Sequence, residues 1–308
     1  MNALMSADVI VRDARLPDDS HLSRVVNSEL ARIGATSIPA AQLRTGEGRF
    51  ERALRETKLK RGGAVIAEFK RASPSLGAFA AGRDFMEQLG AYREGGAAAV
   101  SILAEPLLFQ GSADEVLAAR DFGMPRLYKG FVLSEQHLDE AALIAQADAV
   151  LLIARVLGPH TAAFAEAARA RGLEPLVELH DFSEIPFAQE SGATLVGVNA
   201  RDLASFAIGH PSVAPLRDAF PDAVLIRESG LTNPEDAVAS IKEGFDAVLI
   251  GEALMRSDDP ALFLRACVQS RCWRKCVESR AHLMRTRHLK LGRIWSALCG
   301  IRRVHVIA

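Results

Sequence analysis

Several polar side chains stand where apolar strands ought to end. Val65, Ile66 and Ala67 open like a buried strand, and Glu68 and Lys70 interrupt it. Residues two apart on a strand share a face, so this carboxylate and this ammonium lie together. The same spacing joins Lys129 to Phe131 in LYKGF and Asn199 to Arg201 in VGVNARD, while Glu178 sits in LVELH. Two further apolar runs close on Ser229-Gly230 and Gly251-Glu252. Lysines set among carboxylates can move protons, provided burial and neighbouring cations lower the lysine pKa. Taken singly, each residue has an ordinary reading as a solvated rim group, a turn residue or, for Arg201-Asp202, an ion pair. His180-Asp181 reads as a helix cap at Asp181 rather than an acid–base pair. Their coincidence on apolar strands is what points to a site, because such a mixture is costly to bury unless its members pair with each other or a ligand.

The elements that position these residues recur along the chain. EGGAAAVSIL (94–103), IAQADAVLLI (144–153), QESGATLVGV (189–198) and KEGFDAVLIG (242–251) each read as a helix end, a small-residue turn and a short apolar strand. AVIAEFK, RLYKGF, PLVELH and AVLIRES lie between or before them, giving eight strands. Amphipathic helices such as SEQHLDEAALIAQA and NPEDAVASIKEG follow the strands. Continuous apolar strands suit a parallel sheet buried on both faces. An open doubly wound sheet shares the alternation but not the even recurrence, so the pattern predicts a single-domain (β/α)8 TIM barrel. In that fold the C-terminal strand ends form the active face, and glycine turns after strands seven and eight commonly hold phosphate. The expected ligand is therefore a phosphorylated, anionic small molecule.

The chain has 308 residues, 49% of them hydrophobic, and a net charge of −1. Of its 37 basic and 38 acidic residues, 11 basic and one acidic fall from Arg265 onward, together with all four cysteines and both tryptophans. This break predicts an N-terminal helical extension over 1–47, a barrel over 48–264 and a basic tail over 265–308. The Cys-free body suits a cytoplasmic protein, and neither a signal peptide nor a membrane span is legible. In the tail, Cys272-x3-Cys276 with His282 and His288 has the wrong spacing for a common zinc finger, so no metal is expected. Nucleic-acid binding has only the basic charge of the tail in its favour.

In order along the chain, IAEFKRASPS, SILAEPLLFQGS, LYKGFVL, ADAVLLIARVL, EPLVELHD, GVNARDL, RESGLTNPEDA and VLIGEALMRSDDP resemble the successive motifs of the indole-3-glycerol phosphate synthase family, from about residue 48 to about 265. The resemblance implies a TIM barrel of tryptophan biosynthesis that closes the ring of 1-(2-carboxyphenylamino)-1-deoxyribulose 5-phosphate, releasing CO2 and water with no cofactor. It implies Lys129 as general acid and Lys70 as the partner of the anthranilate carboxylate. Glu178 and Glu68 would handle dehydration and proton removal, with Asn199 orienting Glu68. Phe131 would press on the aromatic ring, Arg201 would line the site, and Ser73, Ser229, Gly230, Gly251 and Glu252 would surround the ligand, the last four near its phosphate. The loop RASPSLGAFAAGRD would be a mobile lid. A monomer or weak dimer is expected.

Three positions depart from the family pattern. Gly130 replaces an Asp, which would loosen the support of Lys129; Ala200 replaces a polar residue, and Ala104 stands where Thr is common. The family's basic N-terminal helix is not evident, although LSRVVNSELARI can fill its place. The alternatives are a weakened paralogue acting as a binding or assembly protein, or another phosphate-binding barrel such as phosphoribosylanthranilate isomerase.

Overall fold

The computed structural model describes residues 21–38, 48–73, 77–78, 82–200 and 212–268. Every expected apolar run becomes a strand: β1 (Ala64–Phe69), β2 (Ala99–Leu103), β3 (Arg126–Lys129), β4 (Ala149–Ile153), β5 (Glu174–Leu179), β6 (Leu195–Asn199), β7 (Val224–Glu228) and β8 (Ala247–Ile250). Each strand pairs in parallel with its chain neighbours, and β8 pairs with β1, so the sheet closes. The architecture is a (β/α)8 barrel with helices between the strands.

Alternation sorts the strand side chains into two cores. Ile66, Leu127, Leu151, Leu176, Leu195, Ile226 and Leu249 fill the barrel interior, while Val65, Ile102, Leu152, Val177, Val196 and Val248 face the helix layer. Burial on both faces explains the continuous apolar runs. Continuing the interior row toward the C-terminal strand ends reaches Glu68, Lys129, Glu178, Asn199, Glu228 and Gly251, all but one of them polar.

The LSRVVNSELARI segment forms a helix, α1 (His21–Ala35). Its Val26 and Leu30 join the apolar cluster that includes Phe131, Leu133 and Ile153, so α1 packs at the mouth. The opposite face is closed by α2 (Arg49–Arg61). The Phe50 and Glu51 N–H groups at its start donate to the Glu174 carboxylate at 2.7 and 2.8 Å, and a carboxylate there also complements the helix dipole. Arg49 pairs with Asp148 at 2.9 Å and Lys58 with Asp246, so this face is locked by charges just before β4 and β8.

Among the described residues the remaining α-helices are α3 (Phe85–Gly95), α4 (Ala113–Ala118), α5 (Glu135–Asp139), α6 (Ala154–Leu157), α7 (Thr161–Ala170), α8 (Ile185–Glu190), α9 (Ala214–Ala219), α10 (Pro234–Glu243), α11 (Glu252–Arg256) and α12 (Pro260–Cys267). Short polar residues start several of them. Asp84 accepts the Glu87 N–H at 2.9 Å before α3, and Asn233 and Asp236 form a reciprocal capping box at α10. Asp181 accepts the Ser183 N–H at 2.8 Å, as its expected capping role requires.

The helix after β3 is irregular: α5 runs into a wider π turn over Glu140–Ile144. Glu140, at the start of that turn, receives both terminal nitrogens of Arg32 from α1 at 2.7 and 2.8 Å. Arg32 also donates to Glu29, and Tyr128 on β3 donates its hydroxyl to Glu140 Oε2 at 2.6 Å. A single buried network thus ties the N-terminal helix to the strand that carries Lys129.

Among the described residues no helix is long and apolar enough to cross a membrane.

Candidate active site

The interior row ends in a connected set of charges. Lys129 Nζ donates to Glu68 Oε2 at 2.9 Å and to Glu228 Oε2 at 3.1 Å. Lys70 Nζ lies 3.0 Å from the other oxygen of Glu68, confirming that these two share a face. Asn199 Nδ2 donates to Glu178 Oε2 at 3.2 Å. All of these groups except Glu228, which lies behind them, line a cavity of about 360 Å³ whose wall also includes Phe131, Leu151 and Ile153. Polar groups on one side and apolar surface on the other suit a ligand that is both charged and aromatic.

Two glycines leave room for the carboxylates. A Cβ on Gly251 would lie 2.3 Å from Glu68 Oε1, and one on Gly197 would lie 2.2 Å from Glu228 Oε1. Gly251 therefore serves the acid on the neighbouring strand as well as lining the cavity. Ser229 adopts φ 63° and Gly230 φ 72° directly after β7. The left-handed backbone costs a serine about 1–2 kcal/mol, and such strain clusters at ligand sites.

The electrostatics differ from the expectation for Lys129. Burial alone would lower its pKa, but Glu68, Glu228 and Glu178 outweigh burial and raise it. Its neighbours are chiefly carboxylates rather than cations, so the ammonium is firmly protonated. Burial opposes charge on Glu68, yet Lys129 and then Lys70 overcome it and hold this carboxyl down at about 2. For Glu228 burial dominates; Lys129 opposes it, Glu178 reinforces it, and the carboxyl is pushed up to about 8. Glu178 is also raised by burial, against the pull of Lys129 and of hydrogen bonds from Glu228 and Asn199. Glu228 therefore carries the proton and donates it to Glu178.

That proton has a consequence for stability. Between the ordinary carboxyl value of 4.5 and about 8 the folded chain holds a proton at Glu228 that the unfolded chain has lost. More protons bound in the folded state means that stability falls as pH rises through this window. The thermal midpoint is expected to drop between about pH 5 and about pH 8, and Glu228→Gln, a neutral isostere, should flatten that drop. Melting curves of both proteins across pH check it.

Of the residues expected from sequence, Glu68, Lys70, Lys129, Phe131, Glu178, Asn199, Ser229, Gly230, Gly251 and Glu252 all line this one cavity. Asn199 contacts Glu178, where it was expected to orient Glu68. Arg201 lies outside the described residues, as does Asp202. Ser73 is placed by its backbone alone, in a short antiparallel ladder of Ala72–Ser73 with Gly77–Ala78 at the base of the expected lid. Residues 74–76 and 79–81 of that loop, and the tail cysteines and histidines of the zinc reading, are also outside the described residues. Cys267 is buried, and burial pushes its thiol up to about 12, so it is not an exposed, reactive thiol. Among the described residues no group of three or more His, Cys, Asp or Glu is arranged to hold a metal ion.

Sequence reasoning missed Glu228, which is fully buried at the centre of the charge network. The available signal was its register: it sits opposite Asn199 and two residues beyond inward-facing Ile226. It also underweighted His180, whose side chain is fully buried with Nε2 3.3 Å from Glu178 Oε1.

Gly130 has a different meaning from the one its sequence position implied. A Cβ there would lie 2.9 Å from Tyr128 Cε1, so the space is already filled. Tyr128 is anchored by its hydroxyl to Glu140 and has little freedom to swing away. Gly130→Asp is therefore expected to damage the protein rather than repair it, by about 1–3 kcal/mol of overpacking strain. Adding Tyr128→Ala should recover part of that loss, and a double-mutant cycle on thermal midpoints measures it.

A family model described as indole-3-glycerol phosphate synthase matches residues 21–267. Indole-3-glycerol phosphate synthase 2 of Streptomyces coelicolor is 41% identical over 244 residues, covering 78% of this chain and 90% of that protein. The indole-3-glycerol phosphate synthase of Chloroherpeton thalassium is 39% identical over 217 residues, covering 70% and 83%. That of Desulfosudis oleivorans is 36% identical over 255 residues, covering 79% and 97%.

Proposed function

The chain belongs to the indole-3-glycerol phosphate synthase family, and from that premise we propose a division of labour among the residues at its barrel mouth. Its activity is that of a carboxy-lyase of tryptophan biosynthesis acting on a phosphorylated small molecule. It closes the ring of 1-(2-carboxyphenylamino)-1-deoxyribulose 5-phosphate to give indole-3-glycerol phosphate, with loss of CO2 and water.

Lys129 is the general acid for ring closure. The oxygen of the substrate ketone becomes an alkoxide as the aromatic carbon attacks, and an alkoxide is basic enough to take a proton even from a strongly protonated ammonium. Glu68 and Glu228 aim Nζ at that oxygen and support its charge. Lys70 holds the anthranilate carboxylate, and Phe131 with the apolar wall receives the ring. After CO2 leaves, Glu178, ionised beside protonated Glu228, removes a proton from the carbon next to the nitrogen in the new ring, and Glu68 serves in the loss of water that this completes. Asn199 orients Glu178. The backbone at Ser229, Gly230, Gly251 and Glu252 takes the phosphate, with Ser73 and Arg201 completing the ligand shell. The observation that carries this reading is Lys129 Nζ held between two carboxylates on the polar side of a cavity whose other side is apolar.

The organisation that goes with it is an N-terminal helical extension over 1–47, a synthase barrel over 48–264 and a basic tail over 265–308. The protein acts in the cytoplasm as a monomer or weak dimer, without nucleic acid. The tail takes no part in turnover.

The test is to mix purified protein with the substrate and follow indole fluorescence. Product should form at the same rate after deletion from Gln269 onward, a boundary that spares α12. No product from the intact chain would sink the assignment of roles; product lost only on tail deletion would return the tail to the mechanism.

A further inference from the structure

His180 follows the last residue of β5 and shares the face of Glu178, two residues earlier. Its side chain is fully buried, and Nε2 lies 3.3 Å from Glu178 Oε1. The other oxygen of Glu178 accepts Asn199 Nδ2 at 3.2 Å. His180 is itself fixed from behind. Its main-chain N–H donates to Glu184 Oε2 at 2.8 Å, and Arg155 of α6 donates to Glu184 Oε1 at 2.9 Å. The imidazole is not part of the cavity wall, so it does not meet the substrate.

We propose that His180 is a positioning residue for Glu178, holding Oε1 while Asn199 holds Oε2. The 3.3 Å approach is outside the alignment of a hydrogen bond as it stands; with the hydrogen on Nε2, a small turn of the ring completes it when substrate is bound, as catalytic contacts tighten in the working complex. The carboxylate is then fixed in plane and azimuth between two donors, one just after β5 and one at the end of β6, and its charge is supported at the moment it must accept a proton. The other groups that act on Glu178 are Lys129 from β3, Glu228 from β7 and Glu184 from the turn after β5. Lys129 and Glu228 favour its charge and Glu184 opposes it. A buried base with one like-charged neighbour gains from a further neutral donor, and that is what the imidazole supplies.

The inference rests on Glu178 being the base, so the experiment carries its own control. Glu178→Gln, His180→Leu and His180→Gln are made in the full chain, and kcat, KM and thermal midpoint are measured across pH. His180→Leu should lower kcat roughly 10- to 100-fold with KM little changed, because a misaimed base loses rate rather than binding. Removing the donor leaves the carboxylate less stabilised, so the acid limb of the kcat profile should move to higher pH. His180→Gln, whose amide reaches a similar place, should restore most of the rate and the original limb. If Glu178→Gln is inactive while His180→Leu stays within about twofold of the parent, the inference fails alone. It fails equally if Leu and Gln lower kcat alike with the limb unmoved, since the imidazole then only fills space. An active Glu178→Gln removes the base itself, and the proposal with it.

Discussion

Lys129→Ala is expected to lower kcat on the order of 10³-fold, because the substitution removes both the proton donor and the charge facing the ketone oxygen. The fold should survive. Without the ammonium, Glu228 and Glu178 still share one proton, and Glu68 keeps Lys70 at 3.0 Å. Loss of its Lys129 partner lets the Glu68 carboxyl rise, which relieves the buried charge by protonation rather than by unfolding. Lys129→Arg is the sharper control. It keeps the positive charge but replaces a compact ammonium by a planar fork that does not fit between Glu68 Oε2 and Glu228 Oε2. It should remain at least about 100-fold impaired. Indole fluorescence with matched melting curves separates a chemical defect from a folding one. Near-parental turnover by Lys129→Ala would transfer the acid role to Lys70.

Arg32→Ala should be the most damaging change to stability away from the catalytic groups. Arg32 is the cation between Glu29 and Glu140, whose side chains are 1% and 5% exposed. Removing it leaves two buried carboxylates without their counter-charge. Glu29 already lies high because of burial, against the pull of Arg32. For Glu140, burial is outweighed by the Arg32 and Tyr128 hydrogen bonds and by the Arg32 charge, and the Arg32 share of that support is lost. Breaking such an arrangement costs about 3 kcal/mol, somewhat less than a fully enclosed pair because Arg32 is itself partly exposed. For a domain of this size that is roughly 6–12 °C in thermal midpoint. Activity should fall at temperatures well below melting, since α1 also packs on Phe131 and its neighbours. Pairing Arg32→Met with Glu140→Gln should recover part of the stability, and adding Glu29→Gln more, because the cation and its buried carboxylates then leave together. A melt of Arg32→Ala within about 2 °C of the parent would show that the network is decorative.

Most of the site was legible because a barrel converts sequence parity into spatial convergence. Glu68, Lys129, Glu178 and Asn199 each continue the inward row of an apolar strand, and closure of the sheet brings those rows to one mouth. Glu228 is hidden in the sequence because the turn residues Ser229-Gly230 follow it directly; only the pairing of β6 with β7 shows that it faces Asn199. The lysine pKa was read in the wrong direction for the same reason. Its cationic neighbour Lys70 is visible in sequence, whereas three carboxylates from β1, β5 and β7 meet it only after folding. The contact of Arg32 with Glu140 spans 108 residues and belongs to no motif, so no local pattern announces it. His180 was legible by spacing but not by depth, since a side chain just beyond a strand reads as easily outside as inside.

The ring of Tyr128 over Gly130 also constrains how this sequence changes over time. The two positions are not independent: while an aromatic occupies 128, every residue larger than glycine at 130 meets that ring. A lineage can exchange this pair for another only by altering 128 first, and each such step releases the hydroxyl that Glu140 receives. The order of substitutions is thus imposed by volume rather than by chemistry.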